Sequence, residues 1–466
     1  MSGGPREALP VIVGAGPAGL AAAGTFVEAG IRPILLDESD RPGGQGTRRL
    51  TPLLRGKAER LFGVRASRRR HEREAREDLI LSACDYRANT LVWGAFDGGL
   101  ELVSDGACRD LRYTHLLLAT GATDAILPLP GWTLLGVFSL GGAQVALKRH
   151  GSFIGRRIVL AGSSPLLYLA AAQYCRLGLR EITILDTTPF RGKLHAALGM
   201  ARHAAGTLSH GLTLIAELRR AGVRILAGVD LLAVEGKARV EAFRFRDAAG
   251  REECLDCDAV AIGFGLRPET QLAELAGATF EFDPVLRHWF PRVSPDGQAG
   301  PAVWIAGDGA RTIGAEGASV AGRLAALSML QAIGRGDAVK PDEMKRLRRR
   351  LDDARGFQLA AAEAFRIPRE MLSRLPEDTI LCRCERVTLG DVRSAVPRAS
   401  GPVEVNRVKA ITRCGMGRCQ GRYCGVALGE AVAEATGRDL AEVGRLRAQA
   451  PIRPIPMSAA MREAAE

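Results

Sequence analysis

Residues 9–19 have the sequence LPVIVGAGPAG, a short apolar run followed by a turn that contains three glycines. The apolar run predicts a strand that ends at Val13, and the alanine-rich segment up to Ala29 predicts a helix. A second strand is predicted over residues 34–36, directly before Asp37. Together these segments predict one βαβ unit of the kind that binds a dinucleotide.

The glycine-rich turn has the residues that a pyrophosphate requires. Gly14 allows the tight turn, Gly16 lets the backbone approach the phosphates, and Gly19 lets helix and strand pack closely. Pro17 and Ala18 complete the predicted binding turn. The N-terminus of the helix then directs free N–H groups at the anion.

Asp37 follows Gly19 by eighteen residues, at the end of the second predicted strand. A carboxylate at this position can accept hydrogen bonds from ribose hydroxyls, and we assign the adjacent Glu38 to the same site. This spacing distinguishes the motif from an isolated glycine motif. An ordinary glycine-rich turn is the alternative.

Three further segments favour FAD over NAD as the dinucleotide. Residues 43–45 (GGQ) follow the acidic residue closely, residues 116–121 (LLLATG) predict a strand that ends in an ATG turn, and residues 306–308 (AGD) can bring a carboxylate to the ribityl and phosphate groups. The predicted FAD contacts in these segments are Gly44, Gln45, Ala119, Thr120, Gly121, Gly307 and Asp308. Together the segments resemble the two-dinucleotide-domain flavoproteins of the glutathione and thioredoxin reductase superfamily, over approximately residues 8–335.

A second βαβ unit is predicted from Arg157 to Asp186, but its turn at residues 162–167 has the sequence GSSPLL. Two of the three glycines are missing. Ser164 still permits the approach of a phosphate, whereas Leu167 introduces a side chain where close helix packing needs none. We therefore predict that this unit is a scaffold or binds a different nucleotide weakly. The altered motif makes NAD(P) a doubtful cofactor, and we predict that NAD(P)H is not the electron source.

Cys254 and Cys257 have the CxxC spacing of a redox dithiol. They lie on the predicted return strand of a hairpin that turns at residues 249–250, and not before a helix. Buried or spare thiols are therefore favoured over a catalytic dithiol.

Five of the ten cysteines lie between Cys382 and Cys424. Soft thiolates in close pairs suit a tetrahedral sulfur environment, which means zinc or a [2Fe-2S] cluster. Four glycines of the loop 412–425 let it fold tightly around such a core, and Thr388 with Asp391 has the pattern of a helix cap. The segment resembles the bacterioferritin-associated-ferredoxin type of [2Fe-2S] domain. That resemblance implies the ligands Cys382, Cys384, Cys419 and Cys424, although the second pair is usually closer together in that family, and it leaves Cys414 as a fifth, non-ligating thiol.

The predicted fold is α/β, a two-dinucleotide-binding-domain flavoprotein whose FAD domain is split by an inserted unit and followed by a small helical [2Fe-2S] domain. We expect the FAD-binding domain at residues 1–150 and 271–340 and the inserted nucleotide-binding-like domain at 151–270. A helical linker at 341–375, the [2Fe-2S] domain at 376–450 and an extended tail at 451–466 follow.

The net charge of +12 raises the question of nucleic-acid binding. The basic runs at residues 68–70 and 345–350 have acidic neighbours, which is typical of solvated helix faces, so no nucleic-acid partner is expected. No run approaches the about 18 to 20 apolar residues that cross a bilayer, and we see no secretory signal. We expect a cytoplasmic protein whose membrane association, if any, is peripheral and occurs through a complex.

The combination of these parts resembles the A-type subunits of heteromeric amine and amino-acid dehydrogenases. This group includes the octopine and nopaline oxidase A subunits, the alpha subunit of hydroxyproline dehydrogenase and the B subunit of hydrogen cyanide synthase. The similar stretches, besides the cysteine segment, are residues 37–45, 85–93, 130–144 and 265–270. The resemblance spans nearly the full length.

The resemblance implies that a separate subunit, similar to glycine and sarcosine oxidases, carries the FAD that oxidises the C–N bond. This chain would then transfer electrons through its own FAD and [2Fe-2S] cluster. A third small subunit, an FMN at a subunit interface and a quinone or respiratory-chain acceptor are further expectations. The substrate, an opine, hydroxyproline, proline, sarcosine or glycine, would bind in the partner. No constellation of catalytic residues is evident, so the catalytic residues are unknown.

Two other functions stay open at this stage. One is a self-contained NAD(P)H-dependent flavoprotein reductase that feeds the cluster. The other is an electron-carrier or assembly subunit whose flavin site is empty.

Overall fold

The computed structural model describes residues 10–398 and 401–462, so Leu9 of the first predicted strand lies outside the described residues. The strands are β1 Pro10–Val13, β2 Ile34–Leu36, β3 Asp85–Arg87, β4 Leu91–Phe96, β5 Gly99–Ser104, β6 Ala107–Arg112, β7 His115–Leu118, β8 Ala122–Asp124, β9 Val137–Ser139, β10 Arg157–Gly162, β11 Glu181–Asp186, β12 Arg224–Ala227, β13 Asp230–Glu235, β14 Ala242–Arg246, β15 Glu252–Asp256, β16 Ala259–Gly263, β17 Leu266–Pro268, β18 Phe280–Asp283, β19 His288–Pro291, β20 Gln298–Gly300, β21 Val303–Ile305, β22 Ile380–Cys382 and β23 Val387–Thr388.

The α-helices are α1 Pro17–Glu28, α2 Pro52–Arg55, α3 Ala58–Phe62, α4 Val64–Ser82, α5 Leu140–His150, α6 Pro165–Arg176, α7 Phe190–Arg220, α8 Gln271–Leu275, α9 Gly314–Ala332, α10 Pro341–Ala364, α11 Leu389–Ala395, α12 Val405–Thr412, α13 Gly425–Thr436, α14 Leu440–Val443 and α15 Met457–Arg462. Short 3-10 helices cover Gly307–Gly309, Gly336–Ala338, Arg369–Arg374 and Val396–Arg398. Among the described residues, none of these helices is both long and apolar enough to cross a membrane.

The first sheet combines strands from both ends of the flavoprotein region. Its six strands have the order β20-β21-β7-β1-β2-β3. Strand β1 is buried along its whole length and pairs in parallel with β2 and β7, so that Ile12 lies between Leu35 and Leu117. Strand β21 joins β7 from far along the chain. The central parallel strands β21, β7, β1 and β2 are covered on their faces, which explains why they are apolar.

Helices α1 and α9 lie against each other on this sheet. A Cβ atom on Gly322 of α9 would lie 2.0 Å from the carbonyl oxygen of Ala18 of α1, so the two helix backbones nearly touch. Pro17 occupies the first turn of α1, where its missing N–H costs no hydrogen bond. The first turn of α1 is thereby fixed above the carboxyl edge of the sheet.

The inserted unit forms a second sheet of five strands in the order β12-β11-β10-β16-β9. The three-stranded sheet β13-β14-β15 is antiparallel, and it contains the hairpin that the sequence predicted before Cys254. The split α/β fold class is therefore confirmed, whereas the exact domain boundaries stay predictions.

The predicted [2Fe-2S] domain at residues 376–450, which we call the cysteine module, shares its buried core with the inserted unit. One cluster of buried side chains joins Phe243 of β14 and Val260 of β16 to Val392 of α11 and Val432 of α13. The indole N–H of Trp132 donates a 2.6 Å hydrogen bond to the carbonyl oxygen of Ile380, at the start of the module. The module is therefore packed directly on the flavoprotein region.

The tail differs in part from the expected extended segment at 451–466. Residues 451–456 contain no helix or strand, and Ile452 is buried and donates its N–H to the carbonyl oxygen of Trp93 at 3.0 Å. Residues 457–462 instead form helix α15, which lies against strand β6. The remaining four residues of the chain are outside the described part.

Candidate functional site

The glycine-rich turn between β1 and α1 has the geometry that the sequence predicts. Gly14 has a φ of 106°, and a Cβ atom there would lie 2.4 Å from the carbonyl oxygen of Ala119. A Cβ atom on Gly19 would lie 1.8 Å from the carbonyl oxygen of Gly14. Neither position can accept a side chain without a backbone shift.

The other predicted FAD segments converge on this turn. A Cβ atom on Gly44 would lie 3.0 Å from the Cα atom of Gly16, so the two backbones face each other closely. A Cβ atom on Gly307 would lie 2.8 Å from the Cβ atom of Ala18. The turn is thus surrounded by backbone, as a bound pyrophosphate requires.

Asp37 lies at the carboxyl end of β2 with its carboxylate beside the turn. Its Oδ2 accepts a hydrogen bond from the N–H of Ala15 at 2.6 Å, and its Oδ1 accepts one from the N–H of Ser39 at 2.7 Å. Burial raises the pKa of Asp37, although these two bonds act in the opposite direction. The adjacent Glu38 instead pairs with Arg453 of the tail, at 3.3 Å from Oε1 to Nη2.

The remaining predicted residues border the same region. Asp308 is held by its Oδ1, which accepts hydrogen bonds from the N–H groups of Ile313 at 2.8 Å and Gly314 at 3.0 Å. Burial raises the pKa of Asp308. The side-chain oxygen of Gln45 accepts a hydrogen bond from Arg48 at 2.7 Å. These backbone cradles and fixed carboxylates fit a dinucleotide.

The turn at residues 162–167 of the inserted unit, which borders the second nucleotide crevice, keeps one glycine of the motif. Gly162 has a φ of 138°, and a Cβ atom there would lie 2.0 Å from the carbonyl oxygen of Gly263. The hydroxyl of Ser163 donates a 2.7 Å hydrogen bond to the carbonyl oxygen of Arg366, beyond the end of α10. Leu167 is completely buried in the apolar core. The turn is therefore covered by the chain that follows α10.

The acidic residue of this crevice is already engaged by the protein. Asp186 is fully buried, and its Oδ2 accepts hydrogen bonds from the hydroxyl of Tyr168 at 2.6 Å and from the ammonium of Lys193. The N–H of Thr188 donates to its Oδ1 at 2.9 Å. Lys193, near the start of α7, also lies 5.0 Å above the ring centre of Phe365. Both carboxylate oxygens of Asp186 are thus bonded within the chain, one of them by two side chains.

Three cysteines of the module bring their sulfur atoms together. The Sγ atoms of Cys382, Cys414 and Cys424 all lie within 4.8 Å of one another, and all three residues are buried. Hydrogen bonds from the thiols of Cys414 and Cys424 lower the pKa of Cys382 to about 2. Cys414 was expected outside the ligand set, and the structure places it among these sulfurs. Its position in the same glycine-rich loop was the available signal.

Cys384 and Cys419 form a neighbouring pair at the same loop. The sulfur of Cys384 interacts with both the thiol and the backbone N–H of Cys419, and burial raises the pKa of Cys384. A Cβ atom on Gly417 would lie 2.3 Å from the Cβ atom of Cys384, so this glycine allows the loop to close over the first cysteine pair. All five cysteines of the module therefore meet at one place, which fits a thiolate-bound cluster.

Helix α11 begins at the cap that the sequence predicts. The hydroxyl of Thr388 accepts the N–H of Asp391 at 3.1 Å, and the carboxylate of Asp391 accepts the N–H of Thr388 at 2.8 Å. The predicted capping box is confirmed.

Sequence reasoning missed a buried ion pair between the two sites. Glu269 follows β17, and its carboxylate accepts hydrogen bonds from Arg422 at 2.6 Å and 3.1 Å. Arg422 belongs to the glycine-rich loop at residues 412–425, which we call the cysteine loop. The separation of Glu269 and Arg422 by 153 residues left no local signal.

Cys254 and Cys257 lie in different surroundings. Cys254 is exposed with its sulfur 3.9 Å from Glu235, and burial raises the pKa of Cys257 to about 12. Neither environment activates a thiol.

The chain matches two family models: the pyridine nucleotide-disulphide oxidoreductases over residues 10–323, and the BFD-like [2Fe-2S] binding domain over residues 380–434. Fold and sites thus define an FAD-dependent oxidoreductase joined to a [2Fe-2S] domain. The chain is 34% identical to the A-type subunit of opine oxidase from Agrobacterium tumefaciens, over 96% of this chain and 90% of that relative. It therefore belongs to the family of the A-type opine oxidase subunits and the HcnB subunits of hydrogen cyanide synthase.

The other comparisons agree with this assignment. The HcnB subunit of Pseudomonas aeruginosa is 34% identical, over 97% of each chain. The crystal structure of L-proline dehydrogenase from P. horikoshii superimposes with a TM-score of 0.70 and 21% identity, over 97% of this chain and 79% of that one, which shows the shared fold. The protein is accordingly an oxidoreductase subunit with FAD and a [2Fe-2S] cluster as cofactors, and its relatives are subunits of heteromeric enzymes.

Proposed function

We propose that this chain is the electron-transfer subunit of a heteromeric dehydrogenase or oxidase that oxidises the C–N bond of a secondary amine or amino acid in another subunit. The names opine oxidase and sarcosine oxidase among its relatives support this class of substrate. We propose an opine, hydroxyproline, proline, sarcosine or glycine as the substrate. The oxidising partner would be an FAD subunit similar to glycine or sarcosine oxidase. The proposal also includes a third small subunit, an FMN at the subunit interface and a quinone or respiratory-chain acceptor.

The observation that carries the proposal is the closed second nucleotide crevice. Asp186 is engaged by Tyr168 and Lys193, and Ser163 is bonded to the chain after α10. A reductase fed by NAD(P)H needs this crevice for its nucleotide. Electrons would therefore reach the chain from a partner subunit.

When bound, FAD accepts two electrons at a time, and a [2Fe-2S] cluster passes them on singly. The residues of this chain would hold the two groups in place. We propose that the turn of Gly14, Gly16 and Gly19 holds the pyrophosphate and that Asp37 accepts the ribose hydroxyls. The predicted contacts at Glu38, Gly44, Gln45, Ala119, Thr120, Gly121, Gly307 and Asp308 belong to the same proposal.

We propose Cys382, Cys384, Cys419 and Cys424 as the cluster ligands. Each iron of a [2Fe-2S] cluster needs two thiolates, and this set provides two pairs that are close in sequence, Cys382 with Cys384 and Cys419 with Cys424. Cys414 is completely buried with its sulfur within 4.8 Å of those of Cys382 and Cys424, and we propose it as a neighbour of the ligands and not as a ligand itself. Cys384 and Cys419 are both half-buried, and the sulfur of Cys384 interacts with the thiol of Cys419.

Stopped-flow reduction of the purified chain tests the function. We expect slow or no reduction of the flavin by stoichiometric NADH or NADPH, little amine oxidation by the chain alone, and fast cluster reduction when the co-expressed partner and its amine are added. Fast reduction by NADH or NADPH would instead establish a self-contained reductase. Robust amine turnover by the single chain would place the C–N oxidation in this subunit. Protein without extractable FAD would mean a carrier or assembly role.

A further inference from the structure

On one side, the buried ion pair of Glu269 and Arg422 is hydrogen-bonded to residues 120–121, which belong to the predicted FAD site. The hydroxyl of Thr120 donates a 2.6 Å hydrogen bond to the carbonyl oxygen of Glu269. The N–H of Glu269 donates in turn to the carbonyl oxygen of Gly121 at 2.9 Å. The backbone of Glu269 is therefore held by the segment that lies against the glycine-rich turn, which leaves its carboxylate free to pair with Arg422.

On its other side, the pair belongs to the cysteine loop, because Arg422 is a residue of that loop. Arg422 stands between Cys419 and Cys424 in the sequence, and its Nη1 donates hydrogen bonds to the carbonyl oxygens of Cys419 at 3.1 Å and Ile452 at 2.7 Å. Its Nε and Nη2 donate to the two carboxylate oxygens of Glu269. The guanidinium of Arg422 is thus hydrogen-bonded to the cysteine loop at Cys419, to the tail at Ile452 and to Glu269, which is itself bonded to the predicted FAD site.

The two charges lie in a poorly solvated place. The side chains of Arg422 and Glu269 are only 5% and 8% exposed, so water and salt screen them little. A reduced [2Fe-2S] cluster carries one more negative charge than an oxidised one, and net charge near the cluster is one of the factors that set its reduction potential. An uncompensated charge on either side chain would act directly on that potential.

We propose that Glu269 and Arg422 are positioning residues that fix the cluster against the FAD domain and hold its reduction potential by cancelling each other's charge. This inference rests on the proposed electron transfer between FAD and cluster. The opposite sign of the two charges gives it a signature that a purely structural contact lacks.

An EPR-monitored redox titration of the purified full chain, with dithionite and mediators, tests the proposal. Glu269→Gln removes the carboxylate and leaves Arg422, with the nearby Arg267 and Arg453, uncompensated, which favours the reduced cluster and raises the potential. Arg422→Gln removes the one cation within 4 Å of the carboxylate among the described residues and lowers the potential. The double variant Glu269→Gln/Arg422→Gln removes both charges and should return the potential to the wild-type value, and Arg422→Lys should stay close to that value because it keeps the charge.

Glu430→Gln is the matched control. Glu430 also joins the module to the rest of the chain, through Arg287 at 2.8 Å and Arg369 at 2.9 Å, but it lies on α13 and outside the cysteine loop. We expect no shift of the potential in this variant. Shifts of the same sign in both single variants, no shift in either, or an equal shift in Glu430→Gln would overturn the proposal.

Iron content gives a second measurement for variants that fold poorly. Loss of iron in the single variants with retention in the double variant supports the charge balance. If the two single variants and the double variant all lose iron while Glu430→Gln keeps it, the pair is only a structural contact and the proposal is overturned. The titration uses no amine, NAD(P)H or partner subunit, so its result is independent of whether the proposed function holds.

Discussion

At the scale of single residues, the turn before α1 depends on the absence of side chains. We predict that Gly19→Ala lowers the FAD content of the purified protein about tenfold or more, which corresponds to at least about 1.4 kcal/mol of binding free energy. The reason is that its Cβ atom would lie 1.8 Å from the carbonyl oxygen of Gly14 and would distort the turn. Flavin absorbance per mole of protein measures the effect.

Gly56→Ala is the control for this substitution. Gly56 has a φ of −67°, and a Cβ atom there meets no heavy atom within 4 Å. FAD content should match the wild type. Equal FAD content in Gly19→Ala would contradict the assignment of the turn.

The five cysteines of the module give a second prediction at this scale. Cys414→Ala should keep its [2Fe-2S] absorbance and about two irons per chain, as the cluster formula requires, whereas Cys419→Ala should lose both. The reason is that Cys414 is proposed as a buried neighbour of the ligands and Cys419 as a ligand. Anaerobic purification followed by iron and sulfide analysis measures the difference.

The reverse result would assign Cys414 as a ligand in place of Cys419. Stoichiometric zinc in a colourless, EPR-silent protein would replace the cluster assignment altogether.

Lys148 is a buried cation on α5, and its pKa makes stability depend on pH. Burial, together with the nearby charges of Arg70 and Arg48, lowers the pKa of Lys148 from 10.5 to about 8. The folded state therefore disfavours the charged form, so this residue makes the protein less stable below pH 8 and its penalty disappears as the pH rises towards the unfolded value. We predict that Lys148→Met raises the free energy of unfolding at pH 7 by roughly 2 to 3 kcal/mol.

Thermal unfolding at pH 7 and pH 9.5 measures this effect, which should shrink at the higher pH. The exposed Lys345→Met serves as the control and should change little at either pH. A destabilised Lys148→Met protein at pH 7 would show that the ammonium has a stabilising role.

The sequence predicts that residues lie together where their contact follows from local spacing. Gly14, Gly19 and Asp37 belong to one short βαβ unit, so their relative positions follow from strand and helix geometry. Arg422 and Glu269 are different, because their contact depends on how two distant segments pack. No local pattern encodes such a pair.

At the scale of elements, the start of α11 is stabilised by its capping box. We predict that Thr388→Ala lowers the free energy of unfolding by about 1 kcal/mol, because the N–H of Asp391 loses its acceptor. Thr388→Ser retains a hydroxyl and should recover most of the loss. Urea denaturation followed by circular dichroism compares the variants, and equal stability of all three would contradict a role for the cap.

The inserted unit shows the limit of prediction for elements. The loss of glycines from the turn at 162–167 predicted a weakened nucleotide site. The sequence did not predict what covers the site, because Lys193 and Phe365 reach it from α7 and from the end of α10. Two helices from outside the βαβ unit must pack correctly before this contact exists.

At the scale of the whole molecule, the shared core couples the cysteine module to the flavoprotein. Buried side chains of β14, β16, α11 and α13 belong to one cluster, and Trp132 is hydrogen-bonded to Ile380. We predict a single thermal transition in which cluster bleaching, FAD release and tryptophan fluorescence change at the same midpoint. Two separated transitions would show that the module folds independently.

The engagement of Asp186 by Lys193 has a consequence for the history of this chain. An open crevice could be recovered only by several changes together, in the lysine, in the serines of the turn and in the segment after α10 that covers them. A substitution of Lys193 alone would remove the cation from a buried carboxylate that keeps only Tyr168 and Thr188 as partners, and it would leave Ser163 bonded to the chain after α10, so it would cost stability without opening the turn. On the proposed function, the contact makes the loss of the second nucleotide site difficult to reverse by any one substitution.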